Sequence, residues 1–540
     1  MNRLFRHSHL RTTNLASLAR VAILSSLAAA CSSAGPSTDE ASQATAQPLG
    51  GAAPIAVTCH HVEKDYLLQG GANFTPLGFT DDDHFFYQDG ATLYVTSLEP
   101  SATRSRVADI PNGNTAFIYT SGKVAFIWTN PNYASPSFGV SPLVVWTAAH
   151  GARDASAASP VGTLTTVASL DGERVVFPTN ADAAGTTGDI VEASADLSSV
   201  RTLAAGVQTD YTNGPCRPLS TYLGHGRHAT PAIAYCAGAD TTSTLSTFVG
   251  GTRRDLPGLT DPPRLAVNPA RSALIVERIS SDKTTRGTPL LVTADAVTAI
   301  EDVQAGYSTF LGNAAAMYVD VAADNTIGMR RASLREGGAH AVQAIPTIAT
   351  ILVGGFGSDS FALPNTSNDG RWFAFGTTVN PSTGTSDVAI VDVQAQNPAS
   401  SVVVVEAATD FGATAAREPF TADSRFVLYG KPNLTTGTTQ LYAADIRTRA
   451  TRAISDPNGY LELPANGSLV TLNDNVVPNA AGTAYVGDIK VVDVAARSIT
   501  PITISKGANI TFFLDQRKRR VVYVTDAAQP GVHVAPVSGF

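Results

Sequence analysis

Residues 364–375 read P-N-T-S-N-D-G-R-W-F-A-F, and residues 419–429 answer them with P-F-T-A-D-S-R-F-V-L-Y. Each begins with a proline and reaches a turn at Asp369-Gly370 or Asp423-Ser424. Each then passes through an arginine into an apolar strand. Asp-Gly reverses a chain because glycine accepts positive φ and the aspartate side chain bonds the local backbone. In Trp372-Phe373-Ala374-Phe375 alternate side chains point to opposite faces, and neither face is polar. Such a strand has to be covered on both sides.

The pattern recurs. Asp171-Gly172 precedes Val175-Val176-Phe177, Ser121-Gly122 precedes the run Val124 to Trp128, and Asn466-Gly467 precedes the run Leu469 to Leu472. Weaker versions stand at Asp82-Asp83, His225-Gly226, Asn268-Pro269, Gly312-Asn313 and Asp515-Gln516. Successive turns are roughly 39 to 57 residues apart, near the period of about 40–50 expected of a repeated four-stranded unit. After each strong turn and its strand comes a polar loop and a second strand: D-V-A-I-V-D-V, Q-L-Y-A-A-D-I and D-I-K-V-V-D-V. An aspartate, Asp392, Asp445 or Asp493, precedes the last apolar residue of each, and a tight turn and a third strand follow.

From about Leu363 to Ile504 this pattern resembles the TolB-type, WD-like β-propeller repeat, whose blades carry a Ser-Pro-Asp-Gly-Lys turn before an aromatic-rich strand. The segments T-S-N-D-G-R-W-F-A-F and F-T-A-D-S-R-F-V-L-Y carry the likeness. No unit has a proline immediately before the turn aspartate, so the match is to the repeat type. The resemblance implies an all-β fold, a β-propeller built from repeated meander blades. Ten turns exceed the usual four to eight blades, which leaves one large ring, two tandem rings, or some turns that start no blade. For two rings the boundary falls near 350–360, at Gly354-Gly355-Phe356-Gly357-Ser358.

Composition agrees. The 540 residues are 44% hydrophobic and only 15% charged. Helix-periodic segments rich in Leu, Glu and Lys are missing, which favours strands. Residues 1–30 read as a signal segment, with Arg3, Arg6, Arg11 and Arg20 ahead of an apolar run from Val21 to Ala30. That run is too short to span a membrane. It ends L-A-A-A-C, which resembles a bacterial lipoprotein signal in which Cys31 becomes the lipidated first residue. Ala28 stands where that family more often has leucine. A plain secretory signal cut near Ala30 is the alternative. Residues 31–54 hold almost no bulky apolar side chain and read as a disordered tether, with a reach of about 25–30 Å. Residues 55–540 form the repeat region, and Ile55 to Val62 is expected to complete the last blade.

The formal charge is −8, and loss of the four signal arginines leaves −12. An acidic chain is a poor partner for nucleic acid or anionic lipid; membrane contact is expected through the lipid anchor only. The run Arg517-Lys518-Arg519-Arg520 reads as a solvated turn and strand start. Cys216 and Cys236 bracket one unit and suit a disulfide in an oxidising compartment, with three buried thiols, including Cys59, as the alternative.

Chemical motifs are sparse. Asp81-Asp82-Asp83 lacks the alternation of a calcium loop, His225 and His228 flank a turn with no third ligand, and Ser358 is not in a G-x-S-x-G elbow. No metal or other cofactor is called for. The loop T-N-P-N-Y-A-S-P-S-F-G-V-S-P carries Tyr133 and Phe138, aromatics suited either to anchoring a partner or to covering the sheet. The reading leans away from an enzyme. It favours a lipid-anchored binding or scaffold protein of the cell envelope, at the outer membrane facing the periplasm or at the cell surface. Its partner would be a protein, peptide or glycan. The alternative is a propeller hydrolase or lyase with its site in the central channel.

Overall fold

Short polar turns between apolar strands produce antiparallel meanders throughout the described residues, and the turn quoted above is their unit. The computed structural model describes residues 61–538, less 63–65, 72–73, 112–113, 133–138, 163–164, 210–218, 225, 237–242, 250–251, 260–264, 269, 280–285, 300–306, 312–314, 322–326, 336–337, 349–365, 377–381, 384, 396–400, 410–418, 458, 465–467, 479–484, 497–501, 510–511, 516–519 and 526–529.

At Ser367 the hydroxyl donates to Asp369 Oδ1 and accepts from the Trp372 amide at 2.9 Å. Asp369 Oδ1 also accepts the Arg371 amide, and the Gly370 amide donates to the Ser367 carbonyl. Thr421, Asp423, Ser424, Arg425 and Phe426 repeat this set of bonds, as do Ser169, Asp171, Gly172, Glu173 and Arg174. The fourth residue adopts positive φ, 65° at Gly370 and 78° at Gly172, which glycine accepts without a Cβ penalty. At Ser424 the same conformation, φ 59°, is occupied by a small polar side chain.

Each turn joins the first strand of a blade to its second. Among the described residues the strands form nine sheets, one of them eight-stranded and holding two blades joined by the single pairing Leu259 to Arg278. The chain is thus a β-propeller whose ten blades span 74–109, 117–160, 167–208, 219–259, 265–299, 307–348, 366–409, 420–453, 460–509 and 512–538. The ten turn positions read from the sequence each fall within a different one of these blades, at the junction of its first and second strands. In blades 7 and 8 the described part of the first strand is the bridge Thr366 to Phe373 or Phe420 to Val427. Gly226–His228 is a three-residue helical turn.

The N-terminal segment completes blade 10. His61–Val62 and Tyr66–Gly70 both pair antiparallel with the last strand, Gly531–Ser538. A clasp between chain ends leaves the last blade without a missing strand. Blade 10 in turn packs on blade 1 through Leu68, Phe74, Phe85, Tyr87, Val522 and Val534. Similar apolar layers join blades 1 and 2, 2 and 3, 3 and 4, 4 and 5, 7 and 8, and 8 and 9. In the second strand of blade 2, Val124 to Trp128 is buried at every residue; a fully buried large side chain contributes about 1.5–3 kcal/mol. The junction between blades 6 and 7, and with it the boundary expected near 350–360, lies outside the described residues.

Two local expectations are corrected. Arg520 is not solvated. Its side chain is buried, pairs with Asp83 at 2.7 Å and donates to the Leu98 carbonyl, tying blade 10 to blade 1. The stretch from Tyr429 to Gln440 is not a long loop either. The strands Phe426–Asn433 and Thr438–Asp445 continue through it and meet at a tight turn.

Candidate functional site

Antiparallel order places the turns between first and second strands at one end of every blade. The connections between second and third strands emerge at the other end. The first end is bonded from blade to blade. The Asp81 amide donates to Gly122 O and the Gly224 amide to Arg271 O, both at 2.8 Å, and the Asp369 amide donates to Ser424 Oγ at 3.1 Å. Length varies at both ends: at the first end two residues separate the third and fourth strands Ser243–Val249 and Thr252–Leu259, and ten separate Ser386–Asp392 and Val403–Thr409. At the second end the range is similar. The connection in blade 1 is the two residues between His84–Asp89 and Thr92–Ser97, whereas in blade 2 it runs from Trp128 to Val140.

The loop of blade 2 is firmly footed. The Thr129 amide donates to Pro142 O, the Asn130 amide to Ser141 Oγ, and the Val161 amide to Gly139 O. Below it Trp128 Nε1 donates to Ser159 Oγ, which donates to Pro178 O of blade 3. The neighbouring loop of blade 3 is braced by Asp182, which accepts the amides and hydroxyls of Thr186 and Thr187. Those bonds, led by the Thr186 hydroxyl, hold the Asp182 carboxyl below the usual carboxylate value. The two loops touch, since a Cβ on Gly185 would lie 3.2 Å from Val140 Cγ2. Between these feet lies 133–138, which contains Tyr133 and Phe138. Both residues, like Cys31 and Cys216, lie outside the described residues. Cys236 is buried and disulfide-bonded, and its partner is not among the described residues.

A second polar region spans blades 7 to 9 at the same end. Glu406 accepts from Lys431 Nζ and the Tyr429 hydroxyl, both at 3.2 Å. Tyr429 stacks on Tyr442, whose hydroxyl donates to Gln440 Oε1; Gln440 Nε2 donates to Ser455 O. Beyond Ser455, Asp456 and the buried Asp474 both pair with Lys490 Nζ, at 3.5 and 2.6 Å. Burial and the Glu406 charge push the Tyr429 hydroxyl well above its ordinary value. Burial alone would lower Lys490, but the bond and charge of Asp474 hold it above its usual value. The sequence reading missed this series. Its signal is a charge at an inward position on each of two paired strands, Asp474 beside Leu472 and Lys490 beside Val492.

Other carboxylates, buried or half-buried, are committed within and between the blades. Glu192 pairs with Arg174 and Arg201 and accepts the Tyr222 hydroxyl. Asp392 takes both Nε and Nη2 of Arg371. Asp82 is bonded by Thr80 and lies 3.2 Å from His84 Nδ1. Among the described residues no cluster of three or more His, Cys, Asp or Glu is arranged to hold a metal ion.

No family model matches the chain, and no curated protein matches it. Solved structures do. A eukaryotic initiation factor is similar at 10% identity, with 73% of this chain and 87% of that one covered and a TM-score of 0.42. The β-propeller domain of the Trilobed protease from Pyrococcus furiosus is 10% identical, covering 58% and 92%, with a TM-score of 0.30. Dipeptidyl peptidase 4 of Porphyromonas gingivalis is 9% identical, covering 85% and 65%, with a TM-score of 0.38. These likenesses concern the fold and say nothing of activity.

Proposed function

We propose that the chain is a TolB-like propeller lipoprotein of the bacterial cell envelope, anchored through Cys31, that binds a protein, peptide or glycan on its loop end. The braced pair of loops on blades 2 and 3 carries this reading. Both connections stand on hydrogen-bonded feet at the same end of their blades and touch each other. Loops held by a rigid scaffold are where recognition residues concentrate. The L-A-A-A-C boundary and the tether at 31–54 support the anchor, and more than one acyl chain is needed for stable attachment. The buried carboxylates described above are paired within and between blades, which favours binding over a channel hydrolase.

Two experiments test the two halves separately. Cys31→Ser is expected to leave an unprocessed precursor that takes up no labelled fatty acid; normal processing and membrane retention of that variant would remove the anchor. Tyr133→Ala with Phe138→Ala is expected to lower capture of an envelope partner at least tenfold at unchanged melting temperature, since buried aromatics dominate interface energetics. Undiminished capture by the folded double variant would remove these two residues from the site.

A further inference from the structure

In blade 5 the turn position of positive φ is held by Arg271, at 51°, where blades 3 and 7 have Gly172 and Gly370. The region disfavours a long side chain, yet the turn is well bonded. The Arg271 amide donates to Asn268 O at 2.8 Å, and Arg271 O accepts the Gly224 amide of blade 4. The side chain does not run outward. Arg271 Nη1 donates to Ala168 O at 3.3 Å, in the first strand of blade 3, so it reaches across blade 4. The Ala168 amide donates in turn to Ser121 Oγ, in the first strand of blade 2. Tyr119 lies two residues before Ser121, on the same face of that strand. First strands line the central channel of a propeller, so the guanidinium bonded to Ala168 O stands at the turn end of that channel, and Tyr119 is carried by the neighbouring first strand, that of blade 2.

Its pairing sets Arg271 apart. Arg174, Arg371, Arg425 and Arg520 follow their own turns and each meets a carboxylate, on Glu192, Asp392, Asp445 and Asp83. No carboxylate among the described residues pairs with Arg271. The Ala168 carbonyl occupies one of the five N–H donors of a guanidinium. Burial raises the Tyr119 hydroxyl above its usual value, and the positive charge of Arg271 partly offsets this, so the two groups share one field.

We propose that Arg271 and Tyr119 form an oxyanion site at the turn end of the channel, taking a carboxylate or phosphate group through the free guanidinium donors and the phenol. A planar guanidinium suits both groups.

The site is tested by calorimetric titration of the purified full-length chain, at low salt, with citrate and separately with inorganic phosphate. One site is expected, its Kd weakened at least tenfold in Arg271→Gly and severalfold in Tyr119→Phe. Tighter citrate binding assigns a carboxylate ligand, and tighter phosphate binding a phosphorylated one. Arg271→Gly relaxes the turn and Tyr119→Phe preserves packing, so melting curves separate folding from binding. Wild-type protein that binds neither probe overturns the proposal. So does either folded variant if it binds as tightly as wild type. Loss of partner capture at the loop end leaves this result unaffected.

Discussion

Asp445 holds two turns at once. Its Oδ2 accepts Nε and Nη2 of Arg425, at 3.0 and 2.8 Å, while Oδ1 accepts the amides of Arg447 and Thr448. Burial alone would raise this carboxyl, but the Thr448 amide and Arg425 hold it below 3.8. Arg425 is 44% exposed and water can replace its partner. Asp445→Ala is therefore expected to cost about 2 kcal/mol, because it leaves turn amides without an acceptor. Arg425→Ala is expected to cost about 1 kcal/mol or less. Urea denaturation of the two variants checks this, and equal losses would contradict it. The spacing of Asp392, Asp445 and Asp493 was legible in the sequence. Their task was not, because the residue each holds, Arg371, Arg425 or Ser468, comes from the turn before the neighbouring strand.

Elements were legible where a turn signal met an apolar strand and illegible where a polar stretch remained in register. Asn433 and Thr438 are paired across a hairpin that runs on past Tyr429, and its threonines look like loop in sequence. Arg520 resembles a solvated cation until the fold brings Asp83 beside it. The cysteines belong to this scale. Cys236 follows the second strand of blade 4 and is disulfide-bonded, and Cys216 stands three residues before Leu219 in the sequence. Cys59 belongs to the segment that leads into blade 10. Non-reducing peptide mapping is expected to find Cys216 joined to Cys236. Their mutation to serine should then lower stability by roughly 3 kcal/mol if loop closure dominates. A Cys59 to Cys236 peptide would contradict the assignment.

At the scale of the whole molecule, period and turn chemistry pointed to repeated blades but left their number open, since the full set of turn bonds recurs in blades 3, 7 and 8. What no linear pattern revealed is which side chains from different blades meet. Glu192 with Tyr222, Asp83 with Arg520 and Arg271 with Ala168 are 30, 437 and 103 residues apart. Closure by Tyr66–Gly70 on the last strand also places the segment after the expected tether at the outer edge of blade 10. Recognition at the loop end is the proposal that rests on this arrangement of blades. The most direct measurement is photocrosslinking in the exporting cell, with a photoreactive residue at position 138 in the loop of blade 2 or at position 123 in its tight turn. A partner adduct from 138 and none from 123 is the expected result; an adduct from 123 with none from 138 would contradict it.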